Sequence, residues 1–444
     1  MNDVNEYDLV IKNGSIVSES GIVKADLAIL QGKIVEVSTG IPETKGKQQY
    51  DAMDLHILPG LIDTHVHLNE PGRAEWEGIS SGSRSLAAGG VTTYFDMPLN
   101  SSPPTINREN YMKKKQLANQ LSLVNFQIWG GLVPENLDQM EELKDCGVIG
   151  FKAFMSGSGI DDFHSSDELT LYKGMEKISN LNMILAVHAE SDHINLPLTQ
   201  KIIEEGRYTG KDYSESRPVA SEIEAVQKVI TLAKMTGCKL HIVHASSSRV
   251  VGKIQQAKLD GVDISVETCP HYLSLTVDHL DELGAIAKCA PPLRDKQEVE
   301  LLWKSLQRGE IDMIGSDHSP SPIEMKGGNI FEAWGGISGA QSMLNILLEE
   351  GYWKRQIPLE TIVRLTSSAP AKRFNLYPTK GSLNVGSDAD ITIIDLKQAF
   401  ILKKDDLFYK HPHSPYIGKK FRGKIIATLV NGRCVFHCEQ NHPL

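Results

Sequence analysis

The chain has 444 residues, 41% of them hydrophobic and 23% charged, with 46 Lys and Arg against 56 Asp and Glu for a formal charge of −10. That length allows one large domain and a smaller one around a well-buried core. The acidic balance leaves no basic stripe for a nucleic-acid groove, and no apolar run is long enough to span a bilayer.

The N-terminus, MNDVNEYDLV, lacks the basic and apolar regions of a signal peptide. Six cysteines at 146, 238, 269, 289, 434 and 438 show no framework spacing, so free thiols and a cytoplasmic location are expected. From residue 7 to about 55, YDLVIKNGSIV, ADLAIL and QGKIVEV are short β-type runs with Gly turns. The C-terminal part returns to this style in GSLNVGSDADITIID and GKIIATLVNGRCVF. Neither end is long enough for a core of its own, so residues 1–57 and 376–444 are expected to pack as one small β-sandwich. The closing VNGRCVFHCEQNH contains Cys434, His437, Cys438 and His442. Strand periodicity puts the two cysteines on one face and His437 on the other, which reads as a last strand and tail rather than a metal site.

Between the ends, β-like and α-like patterns alternate. The predicted strands are IDTHVHL, TTYFDMP, FQIWGGL, GFKAFMS, ILAVHAE, LHIVHAS, ISVETCP and DMIGSDH. Helical stretches such as EWEGISSGSRSLAAG, NLDQMEELKDCG and SEIEAVQKVITLAKMTG fall between them. Eight such units over residues 58–375 predict an α/β fold, a (β/α)8 TIM-like barrel. An open doubly wound sheet would call for a Gly-rich turn after its first strand. Gly157-Ser158-Gly159 instead follows the fourth and reads as a loop hinge.

In such a barrel the C-terminal strand ends share one mouth. Those ends carry His65 and His67, then Lys152, His188, His244 and Asp317. A lone histidine there is more often a hydrogen-bonded core residue, but His-x-His aims two rings the same way. Four histidines, a lysine and a carboxylate buried without partners would cost ~1–3 kcal/mol each, and a metal centre removes that cost. Imidazole and carboxylate suit zinc, cobalt, manganese, nickel or iron. Six candidate ligands exceed what one four-coordinate ion needs, which points to two divalent ions. An ammonium at Lys152 would repel them, so a carbamate formed from CO2 is expected on that residue.

PGLIDTHVHL, GFKAF, VHAE, IVHAS, GSDHSP and KGSLNVGSDADITIID together resemble the amidohydrolase superfamily, in its cyclic-amidohydrolase branch, over essentially the whole chain. The resemblance implies a barrel with a β-sandwich and a binuclear centre, zinc being the first expectation. It implies His65, His67 and Asp317 on the more buried ion, His188 and His244 on the other, and carboxylated Lys152 bridging them. HLNEPGR, DMPLN, ETCPHYL, KCAPPLR, IGSDHSPSPIEMK and WGGISGAQ are similar to the allantoinase family within that branch. This implies the small molecule allantoin as substrate, Asp317 as the catalytic proton carrier, and a homo-oligomer, a tetramer in keeping with the family. Dihydroorotases usually carry arginine two residues after His-x-His, where this chain has Asn69, which suits a neutral ureido group. Dihydropyrimidinases, or hydantoinases, usually carry a tyrosine after the lysine motif, where this chain has Ser156. Asn69 and backbone groups near Cys289 and Gly336 are the expected substrate contacts, with Arg73 and Asn100 left open.

Overall fold

Alternating β-branched and polar residues at the start of the chain form β1 (Tyr7–Ser18), β2 (Gly21–Leu30) and β3 (Lys33–Ser38), an antiparallel meander. The computed structural model describes residues 6–439. Next come β4 (Gly46–Asp51) and β5 (His56–Pro59), both parallel to β1.

The chain then enters the barrel. Its strands are β6 (Leu61–Val66), β7 (Val91–Asp96), β8 (Asn125–Ile128), β9 (Gly130–Gly131), β10 (Phe151–Phe154), β11 (Ile184–His188), β12 (Lys239–Ile242), β13 (Ile264–Thr268) and β14 (Met313–Ile314). Every residue of β6 is buried, as are those of β7, β10, β11 and β13, because helices cover one face and barrel filling the other. The predicted FQIWGGL strand is interrupted at Trp129, so β8 and β9 together make the third barrel strand. All neighbours pair in parallel, and the circle closes where His67 N–H donates to His318 O at 2.8 Å.

The helices follow from amphipathic stripes. In Val219–Thr236, Ala225, Val226, Val229, Ile230 and Ala233 are buried, and the helix stops at Gly237 with φ +69, a left-handed cap. The helix predicted from Glu75 begins only at Ile79, because Gly78 at φ +85 breaks the chain direction. NLDQMEELKDCG divides into a 3₁₀ segment, Pro134–Gln139, and an α-helix, Met140–Cys146.

After the barrel, β15 (Ile391–Ile401) pairs antiparallel with β5, Ile391 opposite Pro59, and β16 (Lys420–Val430) and β17 (Arg433–His437) extend the sheet. The small β domain is thus one hydrogen-bonded eight-stranded sheet, ordered β17-β16-β15-β5-β1-β2-β3 with β4 on β1. Leu9, Ile11, Leu27, Ile29, Ile57, Ile391, Ile393 and Leu429 from both chain ends share one core. The fold is α/β: a (β/α)8 barrel with a smaller β domain built from both ends of the chain. Thr392 Oγ1 donates to Gly90 O at 2.6 Å and Thr428 Oγ1 to Ala87 O at 2.7 Å, so the sheet is tied to the start of the barrel. Cys434 and His437 lie on or in β17, and His442 lies outside the described residues. The six thiols are free, and no described helix is long and apolar enough to cross a membrane.

Candidate active site

The polar ends of the barrel strands converge. His65 Nε2 lies 3.2 Å from Asp317 Oδ1, and His67 Nε2 lies 3.5 Å from the same oxygen. The His65 ring is 5.4 Å from that of His67 and 5.3 Å from that of His244. His188 Nδ1 is 3.0 Å from His244 Nε2, and Lys152 Nζ sits 4.9 Å from the centre of the Phe154 ring. Two of these side chains reach the mouth through unusual backbone. The ladder of LHIVHAS ends at Ile242 and that of DMIGSDH at Ile314, and His244 and Asp317 then adopt φ of +39 and +45. Such left-handed turns are uncommon for residues other than glycine and gather at functional sites.

Beneath the cluster are carboxylates that sequence reasoning did not single out. Glu267 Oε1 is 2.7 Å from His65 Nδ1, while its Oε2 accepts from Thr64 Oγ1 at 2.6 Å and faces His241 Nε2 at 3.2 Å. Glu190 Oε2 is 2.8 Å from His188 Nε2 and accepts from Arg217 Nη1 at 3.0 Å. A signal was present: an acid within an apolar strand in ISVETCP, and an acid two residues after His188 in VHAE. Asp63, two residues before His65, is fully buried and accepts from Ser316 N at 2.9 Å.

The electrostatics favour cation binding. Burial lowers the affinity of His65 and His244 for protons. Burial opposes ionisation of Asp317, but the His65 and His67 rings outweigh it and hold the carboxyl at about 2. Burial brings Lys152 down to about 7 and pushes Asp63 up to about 7. For Glu190, burial is outweighed by Arg217 and then His188, which keeps it at about 2.

A cavity of about 320 Å³ opens above the cluster, lined by His65, His67, His188, His244 and Asp317 below. Its upper lining includes Asn100, Arg217, Lys288, Cys289, Trp334 and Gly336. A larger cleft of about 1230 Å³ lies on the small sheet, and none of the converging ligands reaches it. The site wall from Ser319 to Ile337 is fastened by two buried lysines. Lys326 Nζ donates to the carbonyls of Gly336, Trp334 and Gly335 at 2.6, 3.2 and 3.3 Å, and Lys288 Nζ to Ala333 O at 2.5 Å. Burial lowers Lys326 to about 7 and Lys288 to about 8.

The expected substrate contacts divide. Gly336, Cys289 and Asn100 line the cavity, and Cys289 O accepts from Tyr213 Oη at 3.2 Å. Asn69 does not line it: at φ +65 its side chain turns aside, and Nδ2 donates to Pro320 O at 3.2 Å. Arg73 is drawn to Asp162 Oδ2 and Asn100 O, each at 3.2 Å, and Ser156 is buried outside the lining.

A divalent metal ion fits this donor set. His65, His67 and Asp317 bring three ligand atoms within 4.8 Å of one another, the one such group among the described residues. Lys152 Nζ, His67 Nδ1 and His244 Nδ1 are buried without a hydrogen-bond partner. Orphaned polar atoms gathered among imidazoles and a carboxylate are the surroundings of a cation site.

The chain has relatives along nearly its whole length. The model of the amidohydrolase family matches residues 56–435. An allantoinase of Solibacter usitatus is 47% identical over 98% of this chain and 94% of its own length. One of Deinococcus radiodurans is 47% identical over 97% and 95%. Among solved structures, an L-hydantoinase (dihydropyrimidinase) from Arthrobacter aurescens superposes with a TM-score of 0.95 at 33% identity, covering 97% of this chain and 96% of that one. A match of that extent settles the kinship: the chain belongs to the amidohydrolase family.

Proposed function

We propose that the protein hydrolyses the hydantoin-ring amide of allantoin to give allantoate. The observation that carries this reading is the likeness to allantoinases along nearly the whole chain at 47% identity; the cavity lined by His65, His67, His188, His244 and Asp317 supports it. The barrel is taken as residues 58–375, with residues 1–57 and 376–444 as the sheet domain.

The family is metal-dependent. In this reading His65, His67 and Asp317 would hold one divalent ion, His188 and His244 a second, and Lys152 as a carbamate would serve both, zinc being the first candidate metal. Bound there, the ions supply Lewis acidity toward the ring carbonyl and acidify water to a pKa near ~7. Asp317, ionised down to about pH 2 in the metal-free protein, accepts the proton of the attacking water and returns it to the departing ring nitrogen. A free amine, not an ammonium, adds to CO2, and burial leaves Lys152 partly as amine near neutral pH. Main-chain groups near Cys289 and Gly336 grip the ring amide.

A second reading is hydantoinase activity, favoured by the 0.95 superposition on the Arthrobacter enzyme. One experiment tests both: allantoin, dihydroorotate and hydantoin offered to protein supplied with divalent metal, with and without bicarbonate. Ring opening of allantoin is expected to dominate; faster opening of hydantoin or dihydroorotate overturns the choice. At constant dissolved CO2, activation of metal-depleted protein should rise as pH passes upward through about 7, where Lys152 loses its proton. Activation that is flat across that range rules out the carbamate.

A further inference from the structure

We propose that Glu190 and Glu267 are positioning residues that hold two ligand histidines in opposite tautomers, so that His65 offers Nε2 and His188 offers Nδ1. The proposal rests on the metal-site reading above and concerns which nitrogen of each ring is left with a lone pair. A carboxylate can only accept, and a neutral imidazole has one ring proton, so that proton sits on the nitrogen with the shorter carboxylate contact. For His65 that nitrogen is Nδ1, 2.7 Å from Glu267 Oε1, which leaves Nε2 bare where it meets Asp317 at 3.2 Å. For His188 it is Nε2, 2.8 Å from Glu190 Oε2, which leaves Nδ1 bare toward His244 at 3.0 Å.

Each carboxylate is itself fixed. Glu267 is completely buried, with Thr64 Oγ1 donating to Oε2 at 2.6 Å and His241 Nε2 facing the same oxygen at 3.2 Å. There is little room to move: a Cβ on Gly315 would lie 2.9 Å from Glu267 Oε2. Glu190, also completely buried, is held by Arg217 Nη1 at 3.0 Å and by Asn195 Nδ2 at 3.2 Å on Oε1. The difference in tautomer follows from strand geometry. Glu190 is two residues beyond His188 on the same chain and reaches the far nitrogen of the ring. Glu267 comes from β13 and meets His65 at the near one. Arg217 also lines the cavity, so the hold on His188 reaches the wall of the site itself.

The test is the ring-nitrogen signature. Metal-free protein labelled with 15N at histidine is observed by long-range 1H–15N NMR at alkaline pH, with the two rings assigned by single histidine substitutions. The expected result is a proton on Nδ1 of His65 and on Nε2 of His188; the opposite tautomer at either ring overturns the proposal. Failure of the substrate assignment would leave this result untouched, since no substrate is present. Glu190→Met and Glu267→Met keep length and remove the acceptor. Loss of metal to a chelator, followed by metal analysis, should quicken ~10–100-fold in each. Glu190→Gln, whose amide oxygen can still accept from both His188 and Arg217, should retain metal better than Glu190→Met. Folded variants that all release metal at the parent rate overturn the proposal, and if the methionine variants do not fold, the tautomers of the unaltered protein decide it.

Discussion

On the floor of the cavity, His65, His67, His188, His244 and Asp317 meet through their side chains, with Lys152 buried against Phe154. On the wall, residues 319–337 are held chiefly through main-chain carbonyls that accept from Lys288 and Lys326. The floor is a set of chemical types that cannot be exchanged: a bare imidazole nitrogen or an ionised carboxylate has few substitutes. The wall is a shape, and many side chains could present the same carbonyl provided the backbone follows the same path. Chemistry and selectivity therefore respond to mutation differently. A floor change should act on turnover or metal content, and a wall change on substrate affinity with the metal retained.

The largest effect is expected on the floor. Asp317→Asn keeps an oxygen toward His65 and His67 but removes the group that carries the proton, so turnover should fall ~10²–10⁴-fold. Metal analysis beside the rate assay is needed, because the prediction is lost turnover with much of the metal in place. Near-parent turnover in that variant removes Asp317 from the proton transfer.

A smaller effect is expected from the wall. Gly336 stands at φ +102, and a Cβ there would come within 2.3 Å of Ser319 O. Gly336→Ala must push the wall outward or distort Ser319, which lines the same cavity. We expect kcat/KM to fall ~10–200-fold, the scale of a misfitted pocket, carried mostly by KM and with metal content unchanged. A fall confined to kcat, or one accompanied by metal loss, would mean that floor and wall are not independent.

Much of the floor was legible in the sequence because apolar barrel strands ending in His, Lys or Asp are conspicuous, and a period of two predicts that His65 and His67 turn together. The supporting Glu190 and Glu267 were equally visible as residues, yet nothing in the linear order says that an acid on β13 meets a ring on β6. Helix starts and strand ends were misjudged where the backbone turns left-handed, at Gly78, His244 and Asp317, because those φ values are set by tertiary packing. The wall was the least legible part. Its hydrogen bonds use carbonyls that every residue possesses, so no residue type marks them.

Asn69 is where the two regions meet, and it should give the smallest effect. Two residues beyond His67, it was expected to reach the substrate, but its φ of +65 breaks the alternation and turns the side chain aside. The amide instead ties Pro320, at the start of the wall, to the loop after β6. If that is its role, Asn69→Ala should lower thermal stability through one lost hydrogen bond, ~0.5–1.5 kcal/mol, with a further ~1–2 kcal/mol for alanine at φ +65, while KM for allantoin changes little. Asn69→Gly separates the two contributions, since it relieves the backbone and still lacks the amide. Should both variants instead raise KM steeply at unchanged stability, Asn69 reads the ureide directly and the floor extends two residues further than its ligands.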